Sequence, residues 1–213
     1  MMQVEIWSDV VCPWCYVGKR RFESALARFT ARDDVDVVWR SFELDPDAPQ
    51  QRDLPSTEHL AQKYGMSIEQ AEAANQRLTD LAAVEGLEYH LDRTAGGNSF
   101  DAHRLLHLAA ASGRQDALKE RLLLAYFTEG EAIGRPDVLQ RIAVEAGLDP
   151  LEVADVLAGE RFADEVRADD HRSRVLGING VPFFAIDGRY GISGAQTSDL
   201  ILSALEQAWS ERA

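Results

Sequence analysis

The chain has 213 residues, 46% of them hydrophobic and 27% charged, with a formal net charge of -14. That length can bury a sizeable core without disulfide staples, and two cysteines are too few for a stapling framework. The acidity argues against a nucleic-acid backbone or an anionic membrane as partner, and no apolar run approaches the ~20 residues of a membrane span.

Gln3-Val4-Glu5-Ile6-Trp7-Ser8 alternates apolar and polar residues and predicts a first strand. Cys12-Pro13-Trp14-Cys15 follows and holds both cysteines of the chain. Such a pair is a redox dithiol, half of a metal site, or a coincidence. Neither a basic leader nor a secretory apolar stretch precedes it, so the cytoplasm is the expected compartment. There a close pair reads as redox-active or metal-binding rather than as a structural bridge.

Pro13 suits the first position of a helix, and Val17, Phe22, Leu26 and Phe29 supply its apolar face. Val35-Asp36-Val37-Val38-Trp39-Arg40-Ser41-Phe42 reads as a second strand, closing a βαβ unit, and the prolines of Asp45–Pro49 and Leu54-Pro55-Ser56 punctuate its end. Residues 56–175 carry a helical pattern of about five or six segments. Ser56, Ser67 and Asp149-Pro150-Leu151-Glu152 mark helix starts, Leu87–Leu91 is a short extended piece, and Gly96-Gly97-Asn98-Ser99 leads into a helix from Asp101. Phe183–Ile186, Asp187-Gly188 and Arg189–Ile192 then read as a hairpin. A terminal helix has Leu200, Ile201, Ala204, Leu205, Ala208 and Trp209 on one stripe.

Thiol–disulfide exchange needs an ionised, accessible sulfur and a second one within reach to resolve the mixed disulfide. At the helix start the orphan N–H groups and the helix dipole favour a thiolate at Cys12, the expected attacking sulfur. Cys15, one turn inward and more shielded, is the resolving one. A moderately lowered Cys12 pKa is expected. Lys19, Arg20 and Arg21 either add a diffuse positive field or form a solvated helix face. Asp9 relays protons to Cys15 or is a turn residue. Trp14, in the spacer, is expected to be partly exposed and able to contact a substrate, whereas Trp7, Trp39 and Trp209 are expected in the core. A zinc site would need Cys12 and Cys15 with His103 and His107, a pair four apart on a helix. His103 and Arg104 either line a groove above the dithiol or are a packed helix residue and a solvated charge.

Ser8-Asp9-Val10-Val11-Cys12-Pro13-Trp14-Cys15-Tyr16-Val17-Gly18, the distant Val181-Pro182, Asn98–Leu105 and Gly194-Ala195-Gln196 together resemble the DsbA branch of the thioredoxin superfamily, over essentially the whole chain. The wording is similar to its cytoplasmic FrnE-like members. The resemblance implies an α/β fold: a thioredoxin-like domain (βαβ plus ββα) of residues 1–45 and 178–213, with an all-helical insertion of residues 46–177. It implies that Pro182 is a cis-proline against the dithiol and that Val181 offers backbone hydrogen bonds to an extended substrate, beside Pro13 and Trp14. The implied activity is a thiol–disulfide oxidoreductase of protein or peptide thiols and disulfides, with no metal or organic cofactor and with glutathione as a possible reductant. Trp14 stands where periplasmic DsbA enzymes carry histidine, which points away from extreme oxidising strength. The 2-hydroxychromene-2-carboxylate isomerases share the helical insertion, so a glutathione-dependent isomerase or transferase is the first alternative. A zinc-stabilised binding module is the second.

Overall fold

The computed structural model describes residues 1–52, 54 and 56–212; the expected break at Pro55 lies outside them. The alternating start of the chain forms β1 (Met2–Ser8), with Val4 and Ile6 on one face and Glu5 and Trp7 on the other. Helix α1 (Pro13–Arg28) begins at Pro13, whose missing N–H is one the first turn would leave unbonded anyway, and Cys12 is its extended N-cap. A 3-10 turn at Arg32–Asp34 leads to β2 (Val35–Ser41), which runs parallel to β1 in a register from Met2↔Val35 to Ser8↔Ser41.

The middle of the chain is helical: α2 (Ser56–Tyr64), α3 (Ile68–Val84), α4 (Phe100–Ala111), α5 (Gln115–Leu124), α6 (Pro136–Glu145), α7 (Pro150–Ala158) and α8 (Ala163–Val175). Among the described residues these are seven helices where five or six were expected. Gly113 (φ 68°) and Gly147 (φ 91°) take left-handed backbone just past the ends of α4 and α6. Several starts are locally encoded. Ser67 and Gln70 form a reciprocal capping box, and Asp149 accepts from Leu151 N at 2.9 Å and Glu152 N at 3.1 Å. Leu87–Leu91 is not a strand. His90 N instead donates to Phe127 O (2.8 Å) and Thr128 Oγ1 to Glu88 O (2.6 Å), so the segment is tied to a π-helical turn at Ala125–Glu129 that follows α5.

Beyond α8, β3 (Phe183–Ile186) pairs antiparallel to β1, and β4 (Tyr190–Ser193) pairs antiparallel to β3. Asp187 and Gly188 both take positive φ (51° and 64°), which brings Arg189 N within 3.0 Å of Ile186 O and closes the hairpin. Helix α9 (Ser198–Ser210) follows, capped by Thr197. The sheet order is β2-β1-β3-β4, the arrangement of a thioredoxin-like βαβ and ββα pair. Val4, Ile6, Phe184 and Ile186 pack under Phe22 and Ala25 of α1 and Ile201, Leu205 and Ala208 of α9. Each such large side chain contributes roughly 1.5–3 kcal/mol. Leu200 departs from the expected stripe and is exposed, while Trp209 is half-buried against Phe29.

The chain divides into two compact units, one of residues 1–44 with those from Arg167 onward, the other of residues 45–166. The sequence reading returned to the sheet at 178, whereas the second part of α8 already belongs to the sheet's unit. Its Asp169 explains why: a carboxylate oxygen accepts from Ser41 N (3.0 Å), the other meets Arg40 (3.2 Å), and its carbonyl accepts from Trp7 Nε1 (3.2 Å). In the helical unit α4–α7 pack on one another. No helix among the described residues is long and apolar enough to cross a membrane.

Candidate active site

Where β1 ends, the backbone winds straight into α1: Cys12 N donates to Asp9 O (3.4 Å) and Cys15 N to Cys12 O (3.0 Å). Both cysteines are free thiols. The Cys12 thiol donates to Val181 O at 3.5 Å, so the dithiol and the segment entering β3 meet in the same unit although they lie far apart in the chain. The Val181–Pro182 peptide is cis. Pro182 is held from both sides: its carbonyl accepts from Gly194 N (2.8 Å), and a Cβ on Gly18 would lie 2.7 Å from Pro182 Cγ. Arg21 of α1 donates to Ala195 O at 2.7 Å, tying the helix to the turn that supports Pro182.

Cys12 is 4% exposed and Cys15 1%. The expectation of an open, readily ionised Cys12 is therefore corrected. The hydrogen bond with Cys15 and burial, reinforced by the negative field of Asp9, hold the Cys12 thiol well above its ordinary range. In this reduced, closed arrangement the partner sulfur is the first cause and removal from water the second. Asp9 is fully buried, and its carboxylate accepts from Val11 N (3.4 Å) and Leu44 N (2.8 Å), the pattern of a turn residue. Nearby Glu43 is raised to about 7, first by burial and then by the charges of Asp9 and Asp170, against the opposing pull of Arg167 and Arg174.

Trp14 is 44% exposed beside the dithiol, Pro13 and Val181 are half-buried, and Pro182 is buried. The expected solvated face of α1 is absent at Lys19, which is fully buried and paired with Glu23. Arg20 pairs with Glu23 at 2.8 Å and lies over the Tyr16 ring. His103 belongs to the helical unit and is fully buried, so its ring offers a substrate no open surface. Arg104 is neither a groove residue nor a solvated charge. It bonds Asp101 (2.8 Å), Arg161 O (3.0 Å) and the carbonyls of Val156 and Gly159, capping the end of α7. His107 stacks on Phe162. Among the described residues no three His, Cys, Asp or Glu side chains gather so as to hold a metal ion.

Gly18 escaped sequence reasoning in its role, although it had a signal, since glycine inside a helix is costly and implies a close approach.

The probable DsbA oxidoreductase SCO1869 of Streptomyces coelicolor is 50% identical and superposes with a TM-score of 0.96 over 100% of this chain and 92% of that one. The Bacillus subtilis protein YwbO is 30% identical over 216 residues, 96% of each chain. The cytosolic disulfide reductase DsbM of Pseudomonas aeruginosa, with GSH, shares the fold at a TM-score of 0.68 and 19% identity, over 98% of this chain and 99% of that one. The DSBA-like thioredoxin domain matches residues 3–206, and the chain belongs to that family.

Proposed function

We propose that the protein is a thiol–disulfide oxidoreductase in which Cys12 is the exchanging sulfur and Cys15 the resolving one. The observation that carries this reading is the pair of free thiols at the start of α1 with the Cys12 sulfur 3.5 Å from Val181 O. The 50% identity to a probable DsbA oxidoreductase supports it. In the reducing direction the Cys12 thiolate attacks one sulfur of a substrate disulfide, forming an S–S bond and expelling the other sulfur as a thiolate. The Cys15 thiolate then attacks the Cys12 sulfur, closing the enzyme disulfide and releasing the second substrate thiolate. Two electrons pass to the substrate, and the two protons of the dithiol end on its thiols.

In this reading Trp14, standing where periplasmic DsbA enzymes carry histidine, keeps the potential below the about -120 mV of a strongly oxidising enzyme. In this reading the substrate is an extended peptide lying over Trp14 and along Val181, in a cytoplasmic setting with glutathione regenerating the dithiol. The glutathione-bearing DsbM structure supports that choice of reductant. Reduction of insulin disulfides should be lost in Cys12→Ser, and Cys15→Ser should accumulate a mixed disulfide through Cys12. Full activity of the Cys12→Ser variant would sink the assignment.

A further inference from the structure

We propose that Arg21 is a positioning residue of the dithiol site: through the Gly194-Ala195 turn its guanidinium fixes Pro182, and with it the Val181 carbonyl that an extended substrate would meet. This rests on the reading that the substrate lies along Val181 and exchanges at Cys12. Arg21 is half-buried on α1, three residues beyond Gly18 and hence on the same side of the helix. Gly18 is the seat of the Pro182 ring, which leaves no room there for a side chain. Arg21 joins the same helix to the chain leaving β4, where its Nη1 donates to Ala195 O at 2.7 Å.

The turn that Arg21 holds is closed on itself and bonded onward to Pro182. Gly194 takes left-handed backbone (φ 79°), Gln196 N donates to Gly194 O at 2.9 Å, and Gln196 Nε2 donates to Ser193 O at 2.8 Å. The N–H of Gly194 then donates to Pro182 O at 2.8 Å. Proline has no N–H, so this carbonyl is its one backbone hydrogen-bonding group. On the other side of Pro182 is the Val181 carbonyl, 3.5 Å from the Cys12 sulfur. One helix therefore carries Cys12 at its start, Gly18 against the proline ring and Arg21 on the turn behind the proline carbonyl. The guanidinium bond is charge-assisted and so stronger than a neutral one. Arg28, seven residues on, pairs with Asp199 of α9 at 2.7 Å, but both are exposed, and such a pair contributes little.

The test compares hydroxyethyl disulfide, which has no backbone to lay along Val181, with a linear peptide whose one cysteine carries the same disulfide. Arg21→Met keeps the aliphatic stem and removes the donor. It should raise KM for the peptide about tenfold, the loss of about one charge-assisted hydrogen bond, and leave the rate on the small disulfide within about twofold. Arg21→Lys, which restores a cationic donor, should recover most of that loss, and Arg28→Met should change neither substrate. Amide hydrogen exchange read by NMR should find Gly194 N–H less protected in Arg21→Met and unchanged in Arg28→Met. An unaltered KM for the peptide, equal losses on both substrates, or unchanged Gly194 protection would overturn the proposal. Should Arg21→Met not fold, Arg21→Gln, too short to reach Ala195, is judged by the same comparison. If the natural protein turns over neither disulfide while Gly194 protection still depends on Arg21, the oxidoreductase reading falls and the hold on Pro182 stands.

Discussion

Gly18 shows at the scale of one residue how the site is assembled. A methyl group there would lie 2.7 Å from Pro182 Cγ and 3.5 Å from the Phe184 ring, and the proline ring has no free rotor with which to retreat. Gly18→Ala should therefore cost about 1–3 kcal/mol through overpacking, despite the better helix propensity of alanine, and should slow exchange by displacing Pro182. Urea denaturation and an insulin assay on the same preparation check both. The Cys12 thiol is the second case. Because its pKa is raised, the reactive thiolate is scarce at neutral pH and grows as pH rises, so alkylation of Cys12 should keep accelerating past the ordinary thiol range near about 8.5. A rate that levels off near neutral pH would contradict the burial argument. The motif itself was legible in the sequence, but the direction of this shift was not. Helix starts are written locally, whereas Val181, whose carbonyl meets the Cys12 sulfur, arrives from far along the chain.

Between elements, a charged network joins β1, β2 and α8. Glu5 is almost wholly buried and meets Arg40 at 2.6 and 2.8 Å and Arg172 at 2.6 Å, while the Arg172 guanidinium lies over the Trp7 ring at 5.3 Å. Burial alone would raise the Glu5 carboxyl, but the hydrogen bonds from Arg172 and Arg40 outweigh it and hold the group below the usual carboxylate range. A depressed carboxyl contributes stability above its unfolded pKa and loses it as pH falls through the folded value. Glu5→Gln should then destabilise by about 2 kcal/mol at neutral pH, with the difference shrinking toward about pH 3, as read by urea denaturation at both. In the helical unit, Arg104→Ala would leave carbonyls at the end of α7 without their donor, and should cost about 2–4 kcal/mol by the same measurement. Alternation in Gln3–Ser8 correctly separated the two faces of β1. It could not show that the face bearing Glu5 and Trp7 is covered by α8, because that cover consists of paired charges rather than an apolar stripe.

For the whole molecule, a glutathione-buffer titration should give a potential below the about -120 mV of a strongly oxidising enzyme. A value at or above that would overturn the role given to Trp14. By itself the sequence determined the order of strands and helices, the hairpin at Asp187-Gly188, the caps at Ser67 and Asp149, and the thiol pair at the start of α1. Each of these is set by neighbours a few residues away, through backbone conformation, capping and apolar period. It undercounted the helices of residues 56–175, five or six against seven among the described residues. Only the tertiary structure decided that Cys12 is buried, that Gly18 makes room for Pro182, and that Glu43 lies beside Asp9. Those facts depend on desolvation and on charges carried by segments distant in the chain, and a local pattern of residues holds neither.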